Sequence, residues 1–149
     1  MCHLTRLCSR LVKALKGKVK RVSCGLGDAH TLVVDITNRA YSFGDADYGK
    51  LGREGDHDVP ELMDFSSSVL QAEAGNQCSF LLTTKGEVFS CGSSDGALGV
   101  AGSGNRRRPA MVSGWLGVRL PTCGILCFTA WSTGLVSGLP KPDRTNCSA

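Results

Sequence analysis

The strongest constraint on this chain is that it repeats itself. The run from His30 to Gly52, HTLVVDITNRAYSFGDADYGKLG, returns as CSFLLTTKGEVFSCGSSDGALG from Cys78 to Gly99. Gly27 aligns with Gly75, His30 with Cys78, Leu32 with Phe80, Tyr41 with Phe89 and Gly44 with Gly92, all at one offset. After one gap, Gly49, Leu51 and Gly52 meet Gly96, Leu98 and Gly99. A unit copied in tandem buries its apolar faces against its neighbours, so the content of one unit sets the architecture.

Each unit reads as strands. Val19 to Cys24, His30 to Val34 and Ala40 to Phe43 are short apolar or β-branched runs, with Thr37 and Asn38 as a turn. Gly44 to Gly55, rich in glycine and acid, reads as a long solvated loop, and Pro60 restarts an extended segment, Glu61 to Met63. The second unit follows suit with Val69 to Ala74, Ser79 to Thr83, a turn at Lys85-Gly86, Val88 to Cys91, a glycine-rich loop, then Pro109 and Ala110 to Val112. A period near fifty residues with about four strands per unit excludes helical repeats and selects a β-propeller blade. The expected fold is therefore all-β, a partial β-propeller of about two four-stranded blades with an irregular C-terminal tail. Paired glycines and a Trp-Asp pair, the marks of two common blade types, are absent. The expected divisions are 1–17, a basic amphipathic start or the remnant of a preceding repeat; 18–64 and 65–113, the two repeats; and 114–149, an irregular tail, compatible with disorder, in which the repeat pattern stops.

Charge is uneven along the chain. Residues 1–27 carry Arg6, Arg10, Lys13, Lys16, Lys18, Lys20 and Arg21 with no acid, although the whole chain has a net charge of only +4. Leu4, Leu7, Leu11 and Leu15 recur at helical steps within this stretch. An acid-free, Arg-bearing start is compatible with a mitochondrial presequence or a membrane-surface helix. The repeat logic favours the last strand of a preceding unit instead. No stretch is long and apolar enough to span a bilayer. Eight cysteines without a secretory leader read as reduced thiols, which places the chain in cytoplasm or nucleus ahead of mitochondrion. Cys24, Cys78 and Cys91 lie in apolar strand patterns and are expected as small buried side chains. Cys123 with Cys127 is a single loose pair, short of a zinc site.

The elements Gly27 to Leu32, Tyr41-Ser42-Phe43-Gly44 and Asp47-Tyr48-Gly49-Lys50-Leu51-Gly52 resemble repeats of the regulator of chromosome condensation family. The phrase YSFGDADYGKLGR is most similar to those of the giant HECT-type ubiquitin ligases. The resemblance covers Lys18 to about Val112. It implies a ring of blades whose loops bind partners: small GTPases for nucleotide exchange, histones and DNA, or ubiquitin-pathway clients. Structural repeat positions are Gly27, His30, Gly44, Gly49, Leu51, Gly52, Gly75, Gly92, Gly96, Leu98 and Gly99. Leu51 and Leu98 are expected to plug the gap between blades, and Tyr41, Phe43 and Phe89 to pack between stacked sheets. His30, at a strand start with no nucleophile beside it in sequence, is expected to bond a backbone group of a neighbouring turn.

Other chemistry is weakly supported. Asp45, Asp47 and Asp56 occupy the first, third and twelfth positions of a loop, but Lys50 stands where a calcium loop needs glycine. Gly92 to Gly104 lacks the Gly-Lys-Ser/Thr ending of a phosphate cradle, and Arg106 to Arg108 reads as a solvated basic run. With no nucleophile elbow, metal-ligand His pair or paired acids in a shaped context, neither catalysis nor a cofactor is expected. What remains is a protein-interaction module whose loops, carrying Asp45, Asp47, Tyr48, Lys50, Arg53, Asp95, Arg106, Arg107 and Arg108, meet another protein. Small-GTPase exchange is the alternative, a client-binding part of a ubiquitin ligase system is a weaker one, and nucleic acid or chromatin is unsupported by any motif.

Overall fold

A computed structural model describes residues 11–25, 30–93, 98, 100 and 104–116 of the chain. Eight strands follow one another: β1 (Val19–Cys24), β2 (His30–Asp35), β3 (Ala40–Gly44), β4 (Glu61–Leu62), β5 (Val69–Ala74), β6 (Cys78–Thr83), β7 (Glu87–Gly92) and β8 (Arg106–Leu116). They form two antiparallel meanders, β1-β2-β3-β4 and β5-β6-β7-β8, each strand pairing with its neighbour in sequence. This is the expected pair of four-stranded blades. Strand β8 extends to Leu116, three residues past the expected end of the second repeat, and it includes Arg106 to Arg108, which lie in a strand rather than a loop, with Arg107 and Arg108 exposed. The described part of the N-terminal stretch, residues 11–18, forms neither a helix nor a strand; Leu15 N–H bonds the Val12 carbonyl at 3.2 Å, and the Lys18 carbonyl accepts from Ile36 N–H at 3.0 Å.

The blades stack face to face. Cross-strand partners point to the same face of a sheet, and the ladders put Leu32 opposite Ser42 and Ser42 opposite Glu61. That face of the first blade meets the second, where Ala72, Leu81 and Phe89 are in line. Leu32, Val34, Ala40 and Met63 from one side and Val69, Ala72, Ala74, Leu81 and Cys91 from the other form one buried cluster, with Phe65 and Phe89, edge to face with each other, packed against it. A second cluster, Cys78, Phe80, Leu82, Val88, Leu98 and Val112, covers the far face of the second blade.

Phe89 thus packs at the seam as expected, but Tyr41 and Phe43 do not. They pair with Val33 and Thr31, on the opposite side from Leu32, half-buried on the face away from the second blade. Tyr41 donates from its hydroxyl to Asp35 there. Cys78 and Cys91 are buried thiols, whereas Cys24 is exposed, its face uncovered by any described strand.

The structure also corrects one alignment. Strands β1 and β5 share a register irregularity near their starts, between Val19 and Arg21 and between Val69 and Gln71. At their ends, Gly25 N–H bonds the His30 carbonyl at 3.0 Å and Gly75 N–H bonds the Cys78 carbonyl at 2.8 Å. The counterpart of Gly75 is therefore Gly25; two extra residues in the first β1–β2 connection displaced Gly27 from that role. Gly27, Asp95, Gly96 and Gly99, together with residues 117–149, lie outside the described residues.

Candidate functional site

The connection from β3 to β4 is the element that crosses the seam. It begins at Gly44, with φ of 103°, runs through a short 3-10 turn at Asp47–Gly49, and lies against β7 and β8 of the second blade. Gly49 is required: with φ of +83°, its missing Cβ would sit 2.6 Å from the Arg107 Cα. Gly52 follows suit, its absent side chain replaced by Met63 from its own blade and Cys91 and Pro109 from the next.

The centre of this loop is interior. Lys50 and Leu51 are buried, as are Gly52 and Arg53, so the expectation of a fully solvated loop fails at its centre. The Lys50 ammonium is enclosed and pairs with Asp45, whose carboxyl that hydrogen bond holds below the usual carboxylate range. Arg53, 7 % exposed, donates to the Ser42 carbonyl at 2.9 Å, the Val59 carbonyl at 3.0 Å and the Glu61 carboxylate at 3.0 Å. Both cations are spent on closing the loop, which removes them from the set of residues that could reach a partner. Leu51 is buried as expected, its carbonyl accepting from the Ser42 hydroxyl at 2.7 Å; in the second blade Ser90 holds the Leu98 carbonyl at the same distance.

The Lys50 carbonyl is the joint between blades. It accepts from the Ser79 hydroxyl at 2.6 Å, and the Cys91 thiol lies 3.6 Å away. Ser79 Oγ also lies 2.7 Å from His30 Nε2. Since the serine proton goes to the Lys50 carbonyl, the histidine must donate, which fixes the Nε2–H tautomer and leaves Nδ1 as a bare acceptor. That atom is buried with no partner among the described residues. His30 therefore bonds a side chain of the next blade rather than a backbone group of a turn. Burial, helped by the Lys50 charge and opposed by Asp45, lowers the imidazole from its ordinary 6.5 to about 4, so it is neutral.

A serine beside a histidine invites a catalytic reading, which the geometry denies. Both residues are fully buried, the serine proton is committed to a carbonyl, and no carboxylate orients Nδ1. Burial likewise raises the Cys78 thiol to about 11 and the Cys91 thiol to about 12, which leaves both inert at neutral pH. Asp45, Asp47 and Asp56 do not converge, and among the described residues no group of three His, Cys, Asp or Glu side chains could hold a metal. No described helix is long and apolar enough to cross a membrane.

Of the expected partner-binding residues, Asp47, Tyr48, Arg107 and Arg108 remain at the surface. Tyr48 is 43 % exposed and carries φ of 61°, a left-handed conformation unusual for an aromatic. It is displayed between Asp47 and Gly49, the latter seated against the backbone of Arg107. Arg108 reaches Asp64 at 3.4 Å across the seam, and Arg106 is half-buried at the start of β8. Ser79 was missed in the sequence because a serine within an apolar strand carries no signal of what it will face.

Two stacked, sequentially wound four-stranded meanders, joined by a loop that the first lays on the second, define consecutive blades of a β-propeller. The chain carries repeats of the regulator of chromosome condensation family: that repeat's model matches residues 38–82, a window from the β2–β3 turn of one blade to β6 of the next. Over 136 residues the chain is 38 % identical to the E3 ubiquitin-protein ligase HERC2 of Homo sapiens, covering 85 % of this chain and 3 % of that protein. It is 34 % identical over 134 residues to the RCC1-like G exchanging factor-like protein of Mus musculus, covering 81 % of this chain and 29 % of the relative. Human WBSCR16 superposes with a TM-score of 0.57 at 33 % identity, over 64 % of this chain and 26 % of that one. Prp20p from Saccharomyces cerevisiae, a protein that binds Gsp1p and histones, shares the fold, with a TM-score of 0.59 at 16 % identity over 66 % of this chain and 26 % of its own. The chain thus spans less than a third of the length of each of these relatives.

Proposed function

We propose that this chain is a non-enzymatic protein-interaction module that meets its partner at the seam between blades. The observation that carries this is the adjoining display of Asp47 and Tyr48 from the first blade and Arg107 and Arg108 from the second. Tyrosine and arginine are the side chains most often responsible for binding energy at protein interfaces. The buried joint beneath them, His30 to Ser79 to the Lys50 carbonyl, supports a rigid surface, and rigidity lowers the cost of association. The burial of the only histidine–serine pair described supports a role without catalysis.

A second reading, regulation of a small GTPase, draws on two relatives: the exchanging factor-like protein, and Prp20p with its binding of Gsp1p and histones. Client binding within a ubiquitin ligase draws on HERC2 alone. The test measures binding and nucleotide release with a panel of purified small GTPases, using the chain and its Tyr48→Ala and Arg107→Glu variants. An interaction module binds a panel member stoichiometrically, loses about tenfold or more on either substitution, and leaves nucleotide release unchanged. Acceleration at substoichiometric protein would move the chain to the exchange reading. Binding indifferent to both substitutions would remove the seam surface from consideration.

A further inference from the structure

Charge is sorted by end in the stacked blades. Because the strands alternate in direction, the β2–β3 and β6–β7 turns lie at one end and the β3–β4 loop at the other. Backbone bonds knit the first end into one surface across the seam: Ile36 N–H bonds the Lys18 carbonyl at 3.0 Å, Val69 N–H the Asn38 carbonyl at 2.8 Å, and Thr84 N–H the Ser68 carbonyl at 2.9 Å. Lys20 joins it, its ammonium donating to the Asn38 side-chain oxygen at 3.1 Å. Lys18, Lys20 and Lys85 are exposed there, and none forms an ion pair with a described residue. The segments that make this surface, 16–20, 36–39, 66–70 and 84–86, contain no acid. Asp35, beside them in the chain, is buried and already accepts from Thr37, Arg39 and Tyr41. Asp47, Glu54, Asp56 and Asp58 stand exposed in the loop at the other end.

Blade stacking leaves this end open. The strand registers match Val19 with Val69 and Asp35 with Thr83, which makes Ser68, Leu70, Thr84 and Lys85 the counterparts of Lys18, Lys20, Ile36 and Thr37. All four stay exposed in the second blade, although its face is buried against the first. An adjoining blade therefore covers the sheet faces and not these turns. Serine and leucine in the places of Lys18 and Lys20 also show that a blade of this type forms without cations there. Two aliphatic side chains sit among the lysines, Ile36 at 58 % exposure and Leu70 at 37 %. We propose that this end of the blades receives an acidic segment of a partner protein, its carboxylates against Lys18, Lys20 and Lys85 and its apolar side chains over Ile36 and Leu70. Nucleic acid would match the charge, but it offers its apolar surface as base faces, and these segments hold no exposed aromatic side chain on which bases could stack. An anionic bilayer calls for a broad apolar face, which two aliphatic side chains do not make. The inference rests on the interaction-module reading and adds the partner's chemistry at a second surface, at the opposite end of the blades from Tyr48.

The experiment uses the full chain and a fluorescein-labelled peptide of glutamates with interspersed leucines, read by anisotropy. Saturable binding is expected, falling about tenfold or more in a Lys18→Glu, Lys20→Glu, Lys85→Glu variant and on raising salt from about 50 to about 300 mM. A peptide of equal charge with serine in place of leucine should bind about tenfold more weakly, and Ile36→Ser should weaken the leucine peptide about threefold or more while leaving the serine peptide unaffected. No saturable binding, equal binding of the two peptides, or unchanged binding by the triple variant would overturn the proposal. So would tighter binding of an oligothymidylate of the same charge or of vesicles of phosphatidylcholine and phosphatidylserine. The Tyr48→Ala variant separates the two surfaces. It should bind the peptide like the parent chain, whereas a loss there would place the peptide on the seam and overturn the assignment to the turns. The seam is read with small GTPases and its own variants, so the two surfaces can fail separately. Because the substituted side chains are exposed, unchanged far-ultraviolet dichroism is expected throughout.

Discussion

His30 shows how one side chain can tie fold stability to pH. Its neutral ring is locked between Ser79 and the underside of the loop, with Lys50 and Asp45 as the nearest charges. The unfolded chain takes up a proton near pH 6.5, the folded one only near about 4. Below 6.5 the unfolded state therefore binds more protons, and stability falls with pH until about 4, by a total on the order of 3 kcal/mol. Urea melts between pH 7 and 4 should show that slope, and His30→Gln, which keeps a donor for Ser79, should flatten it. A His30→Gln slope as steep as the parent's would show that another group carries the effect. Arg53 makes a complementary case. Arg53→Met keeps the stem but strands the Ser42 and Val59 carbonyls, for an expected loss of about 2 to 4 kcal/mol in thermal or chemical denaturation. The burial of Arg53 and Lys50 was not legible in the sequence, where a charge beside glycines and acids looks solvated. What buries them is the set of carbonyls and carboxylates that the folded loop gathers, and no local pattern announces that.

At the scale of the element, the strands themselves were legible. Turn residues and β-branched runs placed all eight, because a meander depends on local rules. Facing was harder. Strand β2 is apolar on both sides, with Leu32 and Val34 toward the seam and Val33 away from it, so alternation could not decide which side Tyr41 and Phe43 would share. Register through the β1–β2 turn was also hidden, since an extra pair of residues shifts a glycine without changing the look of either strand. Glycine chemistry provides the test at this scale. Gly92 has φ of +117°, and an added Cβ would lie 2.3 Å from the Gln77 carbonyl oxygen; Gly104 has φ of +106° with open space around it. Gly92→Ala should therefore cost about 3 kcal/mol or more, and Gly104→Ala only the backbone strain of about 1 to 2 kcal/mol. Equal losses in paired denaturation curves would contradict the contact geometry.

For the molecule as a whole, the seam is what makes two meanders one body. Leu81, fully buried, packs among residues of both blades. Leu81→Ala should lower stability by about 2 to 5 kcal/mol while preserving a single calorimetric transition, because neither face is buried without the other. A transition that splits in two would mean that each blade holds its own structure. The sequence repeat announced this stacking, but not the polar joint within it, for which Cys78 in place of a second histidine gave no hint.

One contact near the end of β1 fixes the geometry of the pair. Gly25 rests on the carbonyl of Gly75, its counterpart one blade later, so close that a Cβ would lie 2.3 Å from the oxygen. Under a rotation, only points near the axis stay beside their own images. The pivot relating the blades therefore passes close to these glycines, with β1 and β5 nearest to it and β4 and β8 swinging outermost. Insertions far from a hinge pin leave its angle unchanged, whereas one extra methyl at the pin must turn every part beyond it.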